Sequence, residues 1–162
     1  MLSSFRRAAV LGAIVICCVS CDQATKSLAT TALAGRPPIS LLGDTIRLSY
    51  IENPGGFLSI GAGLPAGTRE WVFAGLGAVV VTALLTVAIS GRSLGRLQLV
   101  AISLLIAGGV GNIVDRTAYG VVRDFLNVGV GTVRAGIFNV ADLALTVGSA
   151  LLAIRFWRER VR

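Results

Sequence analysis

From Leu97 to Val114 the chain runs 18 residues without a charge, long enough to cross a bilayer, yet it ends unlike an ordinary span. Gly108, Gly109 and Gly111 give up helix propensity within four residues. Asn112 and Asp115 follow, where lipid disfavours both. Glycines there let a second helix backbone approach closely. Asn112 and Asp115 stand three apart and so share a helical face. The same spacing recurs in Asn139 and Asp142, at the head of the last apolar run. Two such faces near one membrane surface predict two carboxylates brought together, the raw material of aspartic-protease chemistry.

The rest of the composition agrees with a membrane fold. Of 162 residues, 54% are hydrophobic and 14% charged, too apolar for a soluble domain of this length. Four apolar segments are predicted as transmembrane helices, at about 8–33, 71–89, 97–114 and 137–154, within a single integral-membrane domain. Between them, 35–69 and 115–135 are polar and glycine-rich and lie outside the lipid. Thr45 to Ile51 alternates polar and apolar residues, a strand pattern. Val121–Val128 and Thr132–Arg134 flank a glycine-rich turn, so a hairpin is expected that can pair with the first strand. The expected architecture is four transmembrane helices with a small extracytoplasmic β-sheet.

Arg6 and Arg7 precede the apolar run from Ala8 to Cys21, as in a signal peptide, and Cys18-Val19-Ser20-Cys21 weakly resembles a lipobox. Asp22 to Ala34 continues in helix-compatible residues and three more spans follow, so an uncleaved first helix is expected. Arg6, Arg7, Arg92, Arg96, Arg155, Arg158, Arg160 and Arg162 cluster on the side of both termini. Arg36, Arg47, Arg69, Arg116, Arg123 and Arg134 spread over much longer loops on the other. The denser side is cytoplasmic. Of eight acidic residues only Glu159 lies there, which puts the functional face outside.

The net charge of +7 comes from basic residues at the ends of apolar segments, with no aromatic-interleaved patch for nucleic acid. The chain has no histidine, which removes Ser-His-Asp triads, histidine zinc sites and histidine acid–base chemistry. Cys17, Cys18 and Cys21 have no metal-ligand spacing, and no metal or organic cofactor is expected. Carboxylates remain. Asp115 ends an outward-running helix, and Asp142, about five residues into an inward-running one, lies ~7–8 Å below its outer end. Two close carboxylates share one proton, so one can accept a proton from water while the other donates to a carbonyl oxygen. The plainer alternative is a helix-end pair of Asp115 with Arg116 and a capping role for Asp142. Asp22 and Lys26, four apart in acid-first order, read as a structural ion pair near the outer interface. Asp124 reads as a solvated or turn-bonded strand residue, and Asn53 and Gly55 as turn residues.

Together, Asp22-Gln23-Ala24-Thr25-Lys26, Asn53-x-Gly55, Gly108-Gly109-x-x-Gly111-Asn112-x-x-Asp115-Arg116, Val122-x-Asp124-Phe125 and Phe138-Asn139-x-Ala141-Asp142 resemble the lipoprotein signal peptidases (signal peptidase II), in family order. The resemblance implies a multi-pass aspartyl endopeptidase of the bacterial inner membrane, its site near the extracytoplasmic surface. Such an enzyme cuts diacylglyceryl prolipoproteins just before the lipidated cysteine. It implies Asp115 and Asp142 as the catalytic pair. Asn53, Gly55, Asn112, Arg116, Asn139, Asp22, Lys26 and Asp124 are then substrate-binding or supporting. Diacylglyceryl prolipoproteins and membrane lipid are the expected partners, nucleic acid is not, and a monomer is expected. Three positions depart from the family pattern: Leu58 stands where Phe is usual with Phe57 before it, Pro54 follows Asn53, and Leu143 replaces a small polar residue. They bear on cleft shape and substrate preference. The alternatives are a catalytically degenerate membrane protein that binds lipoprotein or signal peptides, and a proton-coupled transporter. Carboxylates confined to one face argue against the transporter.

Overall fold

The first helix, α1 (Ser4–Leu33), reverses the burial rule of a water-soluble helix. Its buried positions are Asp22, Lys26, Ala29 and Leu33, while Phe5, Ile16 and Leu28 are exposed. An apolar exterior around a polar inner stripe suits lipid as solvent. The computed structural model describes residues 3–55, 63, 65–90 and 94–161. Phe57 and Leu58, Arg92, Arg162 and the Arg69 side chain lie outside the described residues. Helices α2 (Ala66–Ser90), α3 (Arg96–Tyr119) and α4 (Val140–Arg160) complete the set. All four are long and apolar enough to cross a membrane.

Helix α3 is the axis. Half of its apolar window is buried, against 6–17% for the other three. Its glycines explain how neighbours come so close. A Cβ on Gly108 would lie 2.4 Å from the Ala141 carbonyl oxygen of α4, and one on Gly111 would lie 2.7 Å from Asp22 Oδ2 of α1. The close approach expected of this stretch is therefore real, and it is made to two helices at once. On another side, Val81, Ala88, Ile102 and Ile106 form an apolar core between α2 and α3.

Helix ends differ from the hydropathy limits for local reasons. Ser3 Oγ accepts the Arg6 N–H at 3.3 Å, so α1 starts before the apolar run. Helix α3 continues past Asp115 to Tyr119 and stops where Gly120 turns left-handed, at φ 72°. Asp115 therefore lies inside a helix, not at the start of an external segment. Helix α4 begins at Val140 rather than 137, with Asn139 as its N-cap, and the basic tail stays helical to Arg160. Arg and Glu propagate helices well, and Arg155 pairs with Glu159 one turn on.

Strands β1 (Ile39–Leu41), β2 (Ile46–Asn53), β3 (Val122–Val130) and β4 (Val133–Arg134) form one antiparallel sheet in that order. The hairpin does pair with the strand of the first loop: Ile46 faces Val128 and Ile51 faces Asp124, with a register shift between Leu48 and Ile51. Strand β1, three residues long, is too short to show an alternation pattern. The β1–β2 turn holds Leu42 and Asp44 at φ 50° and 69°. Ser40 and Arg47 both donate to the Asp44 carboxylate, and Arg134 donates to its carbonyl at 2.7 Å. That cluster ties the turn to β4 and offsets the left-handed backbone.

Candidate active site

Polar residues at the ends of α1, α3 and α4 nearest the sheet form two adjoining clusters. The first is ionic. Lys26 is fully buried, with its Nζ 2.8 Å from Asp22 Oδ2, 3.4 Å from Asp115 Oδ2 and 3.1 Å from Asn112 Oδ1. Asp115 is also fully buried. It accepts the Arg123 backbone N–H at 2.9 Å, the Arg123 guanidinium at 2.8 and 3.3 Å, and Gln23 Nε2 at 3.0 Å. These bonds to Asp115 hold the Arg123 guanidinium above its ordinary pKa. Arg123 also lies over the Tyr119 ring, 4.2 Å from its centroid. Asp22 uses its other oxygen on the Ala141 N–H at 2.8 Å, which pins α4 to α1. The expected Asp22–Lys26 pair thus forms, and it is buried among the helices.

The second cluster holds Asp124 and Asp142. Asp124 comes from β3 and is buried, accepting Asn53 Nδ2 at 3.0 Å and Asn139 Nδ2 at 2.6 Å. Asp142 sits in the first turn of α4, not five residues in. Its Oδ1 accepts Asn112 Nδ2 at 2.8 Å and its Oδ2 the Asn139 backbone N–H at 3.3 Å. Asn139 Oδ1 accepts the Asp142 N–H in return, a reciprocal capping box. The capping role open to Asp142 is real, and the carboxylate still reaches a cavity. Burial pushes the Asp124 carboxyl up to about 6, aided by the Asp142 charge and opposed by the Asn53 and Asn139 amides.

The cavity measures about 1110 Å³ and lies between α2, α3, α4 and the sheet. Asn53, Asn112, Arg116, Asp124 and Asp142 line its polar end. Leu76, Val80, Leu84, Leu105 and Leu145 line its apolar length. Arg116 donates to the Gly55 carbonyl at 2.8 Å and stacks 5.6 Å from the Phe73 ring centroid, rather than pairing with Asp115. Gly55 is itself held by its N–H on Asn53 Oδ1 at 3.0 Å. Pro54 is half-buried beside it, and Leu143 lines the cavity next to Asp142.

Spacing and resemblance pair Asp115 with Asp142. The geometry instead puts Asp124 beside Asp142 on the cavity wall, while Asp115 faces Lys26 and Arg123 and does not line the cavity. On α3, Asn112 and Asp115 both meet Lys26 of α1, but Asn112 also reaches Asp142 of α4 whereas Asp115 reaches Arg123 of β3. Asp124 is correspondingly not a solvated strand residue. Sequence alone does not single out Arg123 or Gln23. A signal for Asp124 is present in Val122-x-Asp124-Phe125, one of the blocks that carry the family resemblance. Among the described residues, no three carboxylate or thiol side chains are arranged to hold a metal ion.

Comparison with known proteins supports one assignment. The family model described as "Signal peptidase (SPase) II" matches residues 14–158. A lipoprotein signal peptidase of Hydrogenovibrio crunogenus is 35% identical, the match covering 84% of this chain and 78% of that protein. One from Geobacter sulfurreducens is 34% identical over 96% of this chain and 92% of its own length. A solved bacterial membrane enzyme superposes with a TM-score of 0.84 at 27% identity, covering 94% of this chain and 90% of that one. A family match across nearly the whole chain, carried on four apolar helices, makes this multi-pass membrane protein a member of the signal peptidase II family.

Proposed function

We propose that the chain is a membrane aspartyl endopeptidase that releases the signal peptide of diacylglyceryl-modified prolipoproteins, cutting just before the lipidated cysteine. The family and its lipoprotein signal peptidase relatives support the substrate class. One observation carries the mechanism: Asp124 and Asp142 line the same cavity and are joined through Asn139. Asp115, in the ionic cluster, supports the fold of the site rather than the chemistry.

The pair works as two carboxylates sharing one proton. Burial raises the Asp124 carboxyl to about 6, which favours a retained proton on the pair. The ionised partner takes a proton from a water, whose oxygen attacks the scissile carbonyl carbon, and the protonated partner donates to the carbonyl oxygen. Collapse of the tetrahedral adduct breaks the C–N bond, and a carboxyl proton passes to the leaving nitrogen. Asn112, Asn139 and Asn53 hold the carboxylates in place with amide N–H donors. The apolar length of the cavity suits the aliphatic residues preceding the cut.

Basic-residue density supports cytoplasmic termini, with the sheet and the site at the outer surface. That placement leaves the substrate's acyl chains in lipid while its peptide bond reaches the carboxylates. The test uses purified protein in detergent with a diacylglyceryl prolipoprotein and its unlipidated form. Release of signal peptide from the first alone is the expected result. Binding without release rejects the enzyme in favour of a degenerate binder.

A further inference from the structure

Lys26 is a fully buried ammonium that does not line the cavity, so it cannot touch substrate. Neutralising charge does not by itself explain it. Asp115 already has the Arg123 guanidinium, and the four charges of Asp22, Lys26, Asp115 and Arg123 sum to zero in two pairs. What is unexplained is the third contact of the ammonium, to the amide oxygen of Asn112 at 3.1 Å.

That contact decides which way Asn112 faces. Its Oδ1 accepts Lys26 Nζ and, at 3.3 Å, Asn139 Nδ2, so both lone pairs are used. Its Nδ2 is then the only group left to meet Asp142 Oδ1, at 2.8 Å. In the flipped amide, an NH2 group would face an ammonium and a second NH2, and an oxygen would face a carboxylate. All three contacts would be repulsive. Without the ammonium the charge-assisted one of these three contacts is lost, and Asn139 and Asp142 alone hold the amide less firmly.

We infer that Lys26 is a positioning residue for the reaction: through Asn112 it fixes the N–H donor that Asp142 accepts, and Asp22 and Asp115 hold Lys26 for that purpose. The inference rests on Asp142 acting with Asp124 as proposed above. Within the ionic cluster it places Asp115 two residues away from Asp142, acting through Lys26 and Asn112.

Lys26→Met alone leaves Asp22 without its cation and can fail to fold. The test therefore uses the charge-balanced Asp22→Asn/Lys26→Met, with Asp22→Asn/Lys26→Gln beside it and rates referred to Asp22→Asn. The protein is assayed in detergent on a diacylglyceryl prolipoprotein, and Asn112→Ala is added to each background. The expected result is a kcat lowered about tenfold or more with KM within about twofold, as for the loss of one charge-assisted hydrogen bond in the site. Adding Asn112→Ala should then cost less than about twofold more, because the Lys26 effect already passes through Asn112. Three results overturn the assignment: kcat within about twofold of Asp22→Asn; Lys26 and Asn112 losses that multiply; or failure of both double variants to accumulate, which makes Lys26 a folding residue only. Asp124→Asn and Asp142→Asn run alongside. If either cleaves at wild-type rate, the carboxylate pair itself is rejected, a result separate from any Lys26 outcome.

Discussion

Asp124 on β3 and Asp142 on α4 are bridged by Asn139, which donates its side-chain amide to Asp124 Oδ1 at 2.6 Å and its backbone N–H to Asp142 Oδ2 at 3.3 Å. One N-cap thus couples the sheet to the helix and sets the separation of the two carboxylates. A helix start is a rigid place to build from, since its backbone donors are already fixed.

Asp115→Asn should behave as a structural lesion. It leaves Lys26 and Arg123 facing an amide in a buried cluster, a loss on the order of 3–5 kcal/mol. Melting temperature and membrane abundance should fall with activity, and kcat per folded molecule should fall less than total activity. A variant of normal stability with no turnover would return Asp115 to the chemistry.

Gly108→Ala should destabilise more than Gly12→Ala. The added methyl at 108 meets the Ala141 carbonyl at 2.4 Å and Leu145 Cγ at 2.7 Å, whereas at 12 it meets nothing within 4 Å. Overpacking of this kind costs about 1–3 kcal/mol. Thermal unfolding in detergent separates the two, and equal melting temperatures would mean that α3 and α4 do not pack as described.

The helices and the sheet are legible because lipid and strand pairing leave strong periodic signals, in Leu97–Val114 and in Thr45–Ile51 for example. The partner of Asp142 is not. A shared helical face says which residues point the same way, but α3 is surrounded, and from that one face Asn112 reaches Asp142 of α4 while Asp115 reaches Arg123 of β3. Asp124 reaches the site only through strand register, with Ile51 opposite it and Asn53 bonded to it. Register depends on a bulge between Leu48 and Ile51 that no alternation pattern reveals.

Asp124 also predicts a pH dependence of stability. Its folded carboxyl, raised by burial to about 6, keeps a proton that the unfolded chain has released by about pH 4. The folded state then binds more protons than the unfolded one, so this contribution is lost as pH rises from about 4 through 6. Wild type should therefore lose melting temperature relative to Asp124→Asn as pH rises from about 4 to 7, on top of a constant offset because the amide accepts only one of the two N–H bonds. A rise of the carboxyl from about 4 to about 6 corresponds to roughly 2–3 kcal/mol of change across that range. A difference between the two proteins that does not change with pH contradicts this.

Orientation is tested with single cysteines in a background lacking Cys17, Cys18 and Cys21. Positions 42 and 132, exposed at the sheet turns, should react with an impermeant thiol reagent from outside, and the exposed position 160 should not. Labelling at 160 alone would invert the topology and put the carboxylates on the wrong face.

The proposed reacting pair is Asp124 and Asp142, and not Asp115. Single-turnover release of signal peptide from a diacylglyceryl prolipoprotein tests it most directly, with Asp124→Asn matched to wild type for folded protein by melting temperature. The amide keeps the size of the side chain and removes its titration. The account predicts no detectable release from folded Asp124→Asn, and no further loss on adding Asp142→Asn. Release by Asp124→Asn at near wild-type rate would contradict it.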